Sequence, residues 1–382
     1  MESSDILLLG ASTRAAAFSA LRAGLRPWCI DLFGDRDLRL QCPVRRMNSS
    51  EYPGGLVCEA EVAPPGPWMY TGGIENHIGI ISRVSAKRTL WGNGPQAVRG
   101  ARSPNVMWES LTTAGLPCPQ HRLTPPPSAS ETKWLVKPMR GSGGRGIKFW
   151  RGQPFRFGRM QYFQEHIEGT SCSAVYVGTT DGAELLGVTR QLTGERWLHA
   201  APFCYCGSVG PFIVRPALER ELQDLGNVLA RGARLRGLFG VDFILRDNTA
   251  YPVEINPRYT ASVEVLELAG GISAIARHRR VFDDWLEPAN CPSGGRPTFI
   301  GKAILFAMHD GCLPDDGPWM KQVHEPGSIW SVPSFADIPE PGTPYRSGEP
   351  IMTLFCTGDS EAECLSGLRD IARDLDRSLW GE

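Results

Sequence analysis

Two apolar runs separated by a short polar turn constrain the fold of this sequence more than any other feature. Residues 240–245 and residues 251–256 are mainly apolar with polar side chains inserted among them, and an Asp-Asn turn lies between the two runs. This pattern predicts an antiparallel β-hairpin with one buried face, because successive side chains of a strand point to opposite sides. Val253 and Ile255 are expected to point into the core, which places Glu254 and Asn256 together on the other face.

Three oxygen-bearing side chains occupy the polar face of this predicted hairpin. Asp242 lies on the first strand and Glu254 and Asn256 lie on the second, so adjacent strands bring them together. Hard oxygen ligands with few protein contacts suit Mg²⁺, which keeps several waters and accepts phosphate oxygens. The alternative is a polar face open to water, but the neighbouring residues are apolar and Arg258 adds a cation. We therefore predict a metal site formed by Asp242, Glu254 and Asn256.

A glycine-rich segment follows a predicted strand that carries Lys137. Residues 134–137 alternate, so Leu135 and Lys137 share one face of that strand. An ammonium on a rigid strand can reach a phosphate, and glycines let backbone N–H groups approach phosphate oxygens. The lysine precedes the glycines, which excludes a Walker A loop, and an ordinary hairpin turn with a surface lysine is the alternative. The predicted phosphate loop contains Gly141, Ser142, Gly143, Gly144 and Gly146.

A short extended segment after Tyr162 and Phe163 is a candidate for binding a base. Its backbone N–H and C=O groups could meet an adenine edge, with carboxylates nearby for hydroxyl groups, whereas the alternative is an exposed acidic turn. The residues concerned are Gln164, Glu165, His166 and Ile167.

The N-terminal residues predict a parallel sheet. Residues 5–31 read as strand, helix, strand, which is a βαβ unit. Gly10 stands alone where a dinucleotide-binding turn needs three spaced glycines, so this unit with Asp31 at its end does not predict a nicotinamide site.

Length and charge set the remaining limits. A chain of 382 residues exceeds what one hydrophobic core usually supports, so two or three packed units are expected. A net charge of −1 argues against binding nucleic acid, and no stretch is long enough to span a bilayer. Eleven scattered cysteines without a secretion signal favour reduced thiols and a cytoplasmic location.

These motifs, in this order, resemble the ATP-grasp superfamily, and the resemblance covers most of the chain. It implies an α/β and α+β fold in which an N-terminal parallel-sheet domain precedes two α+β subdomains that hold ATP, followed by a small C-terminal domain. The expected divisions are residues 1–82, 83–160 with the glycine-rich lid, 161–286 with the metal site, and 298–382. A proline- and glycine-rich linker is expected at residues 288–297.

The resemblance also implies roles for individual residues. Lys87 matches the first nucleotide-contacting lysine and Lys137 the second, while Glu165 and Ile167 match the adenine contacts. Ser171 stands where relatives often place an acidic ribose contact, and Glu168 could replace it. The implied cofactors are ATP and Mg²⁺, with Mn²⁺ as a substitute, and Arg258 and Lys137 are the implied catalytic residues.

The implied reaction is activation of a carboxylate as an acylphosphate and its attack by an amine, with release of ADP and phosphate. Small-molecule carboxylates and amines are the expected partners, without nucleic acid or membrane, and a homodimer is compatible with the family. The outline is similar to carboxylate–amine ligases of one-carbon cofactor assembly, such as the archaeal tyramine–glutamate ligase. The alternatives are a biotin-carboxylase-like, bicarbonate-dependent carboxylase and a non-catalytic nucleotide-binding module. Residues 258–264 lack the tight R-x-x-V-E spacing of biotin carboxylases.

Overall fold

The computed structural model describes residues 5–127, 131–152, 160–283 and 299–381. Within these ranges the chain forms two four-stranded sheets, one eight-stranded sheet and one two-stranded ribbon. None of the helices in these ranges is both long enough and apolar enough to cross a bilayer. The linker predicted at residues 288–297 lies outside the described residues.

The N-terminal sheet is parallel, as the βαβ pattern predicts. Its first strand is completely buried and pairs in parallel with the second, so that Leu8 lies opposite Cys29. The strand order is β3-β2-β1-β4, which leaves the carboxyl ends of all four strands at one edge. The elements of this region are β1 (Ile6–Gly10), α1 (Arg14–Arg22), β2 (Pro27–Asp31), α2 (Arg36–Gln41), β3 (Val44–Arg46), α3 (Leu56–Val62) and β4 (Trp68–Tyr70).

Short helices connect this sheet to the next. A 3₁₀ turn at Ile74–Asn76 leads into α4 (Ile78–Ser85), α5 (Pro95–Ala101) and α6 (Pro104–Thr113). Proline opens α5 and α6, where its missing N–H group leaves no helical hydrogen bond unmade. Between α4 and α5, Leu90 forms a parallel bridge to Trp68 of β4.

The second sheet is antiparallel and carries the predicted glycine-rich hairpin. Trp134 and Val136 pack against Phe163 on one face, so Leu135 and Lys137 point to the other face, as predicted. The strand order is β5-β8-β6-β7. Its strands are β5 (His121–Arg122), β6 (Trp134–Pro138), β7 (Lys148–Phe149) and β8 (Gln161–Glu165).

The third sheet has eight antiparallel strands in the order β13-β12-β9-β10-β11-β14-β18-β16. Residues after position 298 extend it, because β14 pairs with β11 on one side and with β18 on the other. The strands are β9 (Thr170–Gly178), β10 (Ala183–Thr193), β11 (Tyr205–Gly210), β12 (Gly237–Arg246), β13 (Thr249–Asn256), β14 (Phe299–Phe306), β15 (Gly311–Cys312), β16 (Phe335–Ala336), β17 (Pro344–Tyr345) and β18 (Pro350–Gly358), of which β15 and β17 form the separate ribbon.

Helices cover this sheet and bury apolar residues at helical spacing. In α7 (Pro216–Ala233) the residues Leu218, Leu222, Leu225 and Leu229 are buried, and they form one stripe because they recur every three or four positions. The other helices are α8 (Ala261–Gly270), α9 (Ala274–Arg279), α10 (Met320–His324) and α11 (Glu361–Trp380), with a 3₁₀ turn at Arg196–Leu198.

The hairpin of β12 and β13 forms as predicted, with one irregularity. Asp242 pairs with Glu254, but Phe243 pairs with Pro252, so Val253 is an extra residue on the second strand. Such a bulge turns a side chain away from its regular face. The prediction that Val253 points into the core is therefore wrong: it lines the central cavity, while Ile255 is buried as expected.

Candidate active site

A cavity of about 1110 Å³ lies where the three large sheets meet. Its walls come from the carboxyl ends of the N-terminal strands, the glycine-rich hairpin, the β12–β13 hairpin and residues after β14. Most of the residues singled out in the sequence line it: Lys137, Ser142, Gly143, Gly144, Gln164, Glu165, His166, Ile167, Ser171, Asp242, Glu254, Asn256 and Arg258.

The three predicted metal ligands lie together on the β12–β13 hairpin. Asp242 stands directly opposite Glu254 in the strand register, and its Oδ2 accepts a hydrogen bond from Asn256 Nδ2 at 2.9 Å. Its Oδ1 accepts hydrogen bonds from Ser173 Oγ at 2.8 Å and from Gln191 Nε2 at 2.9 Å. The neighbouring strands β9 and β10 therefore fix the Asp242 carboxylate at the floor of the cavity.

The chemistry of this group fits a divalent cation. Burial, followed by the charge of Glu254, raises the pKa of Asp242 to about 6, because the neighbouring negative charge disfavours ionisation of Asp242. A cation between the two carboxylates would relieve that repulsion. Within the described ranges, no three His, Cys, Asp or Glu side chains converge as a metal site. Two carboxylates and an amide oxygen are few ligands for Mg²⁺, which commonly completes its shell with water and phosphate oxygens.

Lys137 is buried beside this group. Its Nζ donates hydrogen bonds to Gln164 Oε1 at 3.0 Å and to the carbonyl of Val253 at 3.0 Å. The bulge at Val253 turns that carbonyl toward the lysine, and Gln164 Nε2 donates to the same oxygen at 3.3 Å. Lys137 is thus a cation at the cavity wall with polar oxygen partners and no carboxylate partner among the described residues.

The glycine-rich loop reaches from the second sheet to the third. Gly143 accepts a hydrogen bond from the Tyr205 N–H at 3.0 Å, and Gly144 packs so closely that an added Cβ would lie 1.9 Å from the carbonyl oxygen of Phe203. Gly143, Gly144 and Gly146 all have positive φ angles of 62° to 84°, which glycine adopts readily. The loop therefore closes over the cavity in a conformation that these glycines permit.

The predicted base-binding segment forms the end of β8 and the turn after it. The N–H groups of Glu165 and His166 donate to the carbonyls of Gln120 and Lys133, each at 2.8 Å. Ile167 follows, is buried, and lines the cavity. Ser171 also lines the cavity, where its Oγ donates to Gln191 Oε1 at 2.9 Å.

Glu168, the substitute ribose contact, lines the cavity as well, although its side chain pairs with Lys133 and both side chains are exposed.

Arg258 is fixed by a partner that the sequence did not suggest. Its Nε donates to Glu75 Oε1 at 2.8 Å, Nη2 donates to Asn256 Oδ1 at 3.1 Å, and Nη1 donates to the carbonyl of Tyr259 at 3.0 Å. Glu75 is 2% exposed and its Oε2 has no hydrogen-bond partner among the described residues. Neither Glu254 nor Glu264 forms an ion pair with Arg258; the guanidinium lies next to the predicted metal ligands.

Glu264 belongs to a separate buried ion cluster behind the cavity. It accepts hydrogen bonds from Arg14 Nη1 at 2.6 Å, from Arg14 Nη2 at 2.8 Å and from Lys302 Nζ at 2.6 Å. Burial alone would raise the pKa of Glu264, but the charges of Arg14 and Lys302 outweigh it and hold the pKa far below its usual range. Three distant parts of the chain are tied together at this carboxylate.

Lys87 is not brought to the cavity. It follows α4 on the outer surface, where its Nζ donates to Glu61 Oε1 at 2.7 Å and 61% of its side chain is exposed. Arg102 lies near the site instead, because its Nη1 pairs with Glu254 Oε1 at 2.6 Å and its Nη2 donates to the carbonyl of Gly141 at 2.9 Å. A small adjoining pocket of about 50 Å³ lies between Arg102, Lys137 and the glycine-rich loop.

Sequence reasoning missed Arg102, Glu75 and Lys302. Arg102 carries the one local signal among them, since it directly precedes the Ser-Pro that opens α6, and helix starts often lie at ligand sites. Glu75 and Lys302 stand in segments without a motif, and only the tertiary fold brings them to the cavity or its wall.

Known proteins are similar to this chain in sequence and in fold. Residues 106–262 match the ATP-grasp domain family. An uncharacterized protein of Methanocaldococcus jannaschii is 25% identical over 287 residues, which is 72% of this chain and 65% of that protein. The carbamoyl phosphate synthase large chain of Saccharolobus solfataricus is 27% identical over 157 residues, 40% of this chain and 15% of that one. The matches thus span less than two thirds of the length of these relatives.

Solved structures extend the likeness across nearly the whole chain. Carboxyaminoimidazole ribonucleotide synthase from Aspergillus clavatus, in complex with ATP, superposes with a TM-score of 0.67 at 15% identity, covering 98% of this chain and 99% of that chain. A biotin carboxylase from Campylobacter jejuni superposes with a TM-score of 0.65 at 14% identity, covering 96% and 91%. At these identities the likeness is one of fold, and it confirms the fold class expected from the sequence.

Proposed function

Because residues 106–262 match the ATP-grasp domain family and the whole chain shares the fold of ATP-grasp enzymes, we propose that it is an ATP-dependent ligase that phosphorylates a carboxylate and joins it to an amine. The observation that carries this proposal is the shape of the cavity. It runs from the base-binding segment past Lys137 and the Asp242 group, and continues to the carboxyl ends of the N-terminal strands. Such a cavity has room for substrates beyond the phosphates of a nucleotide.

The proposal assigns each part of the nucleotide to residues of the cavity wall. Ile167 and the carbonyl of Glu165 would meet the adenine, and Ser171, which lines the same cavity, would contact the ribose. Lys137 would lie against the phosphates and the glycine-rich loop would cover them, which excludes water from an acylphosphate that hydrolyses readily. Arg102 supports the loop from below through the carbonyl of Gly141.

Asp242, Glu254 and Asn256 are the residues that would hold Mg²⁺, or Mn²⁺ in its place. When bound, the cation neutralises phosphate charge during transfer. Ser173 and Gln191 orient the Asp242 carboxylate toward the cavity, and Arg102 holds Glu254 from the opposite side.

The proposed reaction has two steps. A carboxylate oxygen of the first substrate forms a bond to the γ-phosphorus, the bond from that phosphorus to the β–γ bridging oxygen breaks, and ADP leaves. The amine nitrogen of the second substrate then bonds to the acyl carbon, phosphate leaves with its electron pair, and the nitrogen loses a proton. Lys137 and Arg258 stabilise the charge that develops, because fixed cations in a water-excluded site need no reorganisation.

The test is release of ADP from Mg–ATP in a panel of carboxylates and amines, measured with and without each substrate. We expect ADP and phosphate, and hydroxylamine should trap a hydroxamate when the amine is left out. Detection of AMP and pyrophosphate would refute an acylphosphate route. ADP release that depends on bicarbonate alone would favour the carboxylase alternative, and no turnover with any acceptor would favour a passive nucleotide-binding protein.

Variants connect this activity to the metal site. Asp242→Asn and Glu254→Gln should abolish turnover and weaken Mg–ATP binding without unfolding the protein, because both side chains face the cavity. Glu340→Gln is the matched control, since it neutralises a carboxylate that lines the same cavity but already pairs with Arg39 at 2.8 Å. If the first two variants keep near-normal activity, the metal assignment is wrong.

A further inference from the structure

One part of the cavity holds none of the residues that we assign to nucleotide binding. It lies at the carboxyl ends of the four N-terminal strands, where open parallel sheets place their ligands. Ser12, Phe33, Arg46 and Thr71 follow or end these strands and line it, and Asp337 closes it from the C-terminal side.

Asp35 is the unusual residue in this part of the cavity. It lines the cavity, yet it is only 4% exposed. It precedes α2 but its side chain accepts no hydrogen bond from that helix. Among the described residues, no hydrogen bond or ion pair reaches its carboxyl group. A buried charged group without a partner is costly, so one left facing a cavity points to a ligand that supplies the partner.

The carboxylates around Asp35 are all satisfied by the chain itself. Asp31 accepts hydrogen bonds from the N–H groups of Thr13 and Gly34, both at 2.6 Å. Asp37 accepts from the N–H groups of Asp337 and Ile338, both at 3.0 Å. Asp31 and Asp37 thus form hydrogen bonds that stabilise the fold, whereas the Asp35 carboxyl group has no partner among the described residues.

Asp337 is the acidic neighbour of Asp35 that remains partly accessible. Its Oδ1 accepts from Arg14 Nε at 3.0 Å, its Oδ2 accepts from Thr353 Oγ1 at 2.5 Å, and 24% of its side chain is exposed. The Arg36 N–H donates to the Ile338 carbonyl at 2.8 Å, which holds the segment after Asp35 against the segment after Asp337. Two carboxyl groups from distant parts of the chain therefore face one corner of the cavity.

The charge around Asp35 is negative and calls for a cation. Burial, then the charges of Asp337, Asp37 and Asp31, raise the pKa of Asp35 well above its ordinary value, and Arg14 opposes this shift. Arg14 is already shared between Glu264 and Asp337. No cation of the chain forms an ion pair with Asp35 within the described residues, so a positively charged group on a ligand would complete the site.

We propose that Asp35, with Asp337 beside it, binds the ammonium group of the amine substrate in this part of the cavity. The inference deepens the proposed ligase function and rests on it. It identifies the acceptor as a compound that enters the site as a primary ammonium ion and passes one proton to the Asp35 carboxylate before its nitrogen attacks. This description covers both simple amines and amino acids.

Arg46 offers a way to distinguish these two sources. It ends β3, lines the same part of the cavity, and its side-chain carbons approach Gly34 next to Asp35. Its guanidinium has no ion pair or hydrogen bond within the described residues. An amino acid whose ammonium meets Asp35 could place its carboxylate at this guanidinium, whereas a simple amine has no such group.

The experiment measures binding rather than turnover, on the full chain loaded with Mg²⁺ and a non-hydrolysable ATP analogue. Calorimetry is run with L-phenylalanine, L-alanine, their decarboxylated counterparts phenethylamine and ethylamine, and 3-phenylpropionate, which lacks the ammonium. We expect saturable binding of at least one ammonium compound, and a loss of at least tenfold in its affinity in Asp35→Asn. Glu340→Gln, which neutralises another cavity carboxylate, should leave that affinity unchanged, and the nucleotide analogue should bind Asp35→Asn normally.

Three results would overturn the proposal. In the first, Asp35→Asn binds ammonium compounds as tightly as the unmodified protein does. In the second, that variant loses only the binding of 3-phenylpropionate. In the third, no ammonium compound binds to the unmodified protein at millimolar concentration. Asp35→Ser replaces Asp35→Asn if the latter does not fold. If Arg46→Gln weakens the binding of the amino acids alone, the acceptor is an amino acid. If Arg46→Gln leaves binding unchanged, the acceptor is a simple amine.

The same measurements separate this inference from the proposed function. If ammonium binding depends on Asp35 but no substrate combination releases ADP, the proposed ligase activity is refuted and the ammonium site is supported. ADP release with a KM for the amine that is equal in the unmodified protein and in Asp35→Asn would refute the binding site and leave the ligase standing.

Discussion

Single residues in this site are held by partners from distant parts of the chain. Arg258 comes from the segment after β13, and Glu75, which fixes it, comes from the 3₁₀ turn after β4. A guanidinium held in this way is preorganised, so little entropy is lost when it meets a charged substrate. The arginine can therefore stabilise transferring charge without first being ordered.

Replacement of Arg258 tests this role. Arg258→Lys keeps the charge but loses the planar fork, so we expect nearly intact ATP affinity and a fall in turnover of about a hundredfold, or ~2.7 kcal/mol. Steady-state kinetics together with nucleotide binding would measure the two effects separately. A variant that loses ATP affinity and thermal stability together would show a purely structural arginine instead, held by Glu75 to fix the loop.

His278 provides a prediction about stability and pH. It is 1% exposed, its Nδ1 accepts from the Leu238 N–H at 2.8 Å, and its Nε2 lies 3.2 Å from the carbonyl of Trp91, to which it donates. Burial lowers the pKa of His278 to about 4. The neutral ring thus favours the folded state above pH 6.5, and this contribution of about 3 kcal/mol is lost as the pH falls from 6.5 toward 4.

The matched variant is His278→Gln, whose amide can accept and donate in the same two directions. Its free energy of unfolding should fall less steeply between pH 6.5 and 4 than that of the unmodified protein, as measured by denaturant unfolding. Equal slopes for the two proteins would contradict a neutral buried histidine.

At the level of elements, the sequence predicted those strands whose polar and apolar faces differ. The opposite faces of successive side chains in a strand predict β6 and the β12–β13 hairpin, and the faces of Asp242 and Lys137 follow with them. The bulge at Val253 could not be predicted, because it depends on the register that the third sheet imposes. The family resemblance implied that Lys87 contacts the nucleotide. Its side chain lies on the outer surface instead, because the position of α4 decides where it points.

The glycine-rich loop yields a prediction at this scale. Gly144→Ala should prevent the closed loop, because the added Cβ would meet the Phe203 carbonyl at 1.9 Å. We expect a loss of at least tenfold, about 1.4 kcal/mol, in kcat/KM for ATP. Gly143→Ala is the control, since its φ of 62° is close to the 75° of Gly144 but its Cβ would meet nothing within 4 Å. Equal losses in both variants would mean that backbone strain, rather than closure, determines the effect.

For the whole molecule, the cluster of Arg14, Glu264 and Lys302 joins the N-terminal sheet to both halves of the third sheet. Each member comes from a different region, and Glu264 bonds to both cations. Sequence alone could not pair them, because 250 residues separate Arg14 from Glu264 and no local pattern marks either.

Removing the central charge should be strongly destabilising. Glu264→Gln leaves two buried cations without their shared partner, and loss of one member of a buried pair costs about 3–5 kcal/mol. Thermal unfolding should show a clear fall in Tm. Glu61→Gln, which breaks the exposed pair with Lys87, should change the Tm far less because water screens surface charges. A similar Tm for both variants would show that the cluster contributes nothing beyond an ordinary surface pair.

The eight-stranded sheet also limits how this protein can be cut and recombined. Strand β11 forms hydrogen bonds with β14 along Gly207 to Gly210, so a fragment that stopped at residue 283 would expose this backbone as an open strand edge. Such edges pair readily with other chains and promote aggregation. The C-terminal strands therefore cannot be replaced as an independent unit, either in evolution by gene fusion or in an engineered protein with a new acceptor specificity. New specificity has to be built by substitution within the intact sheet.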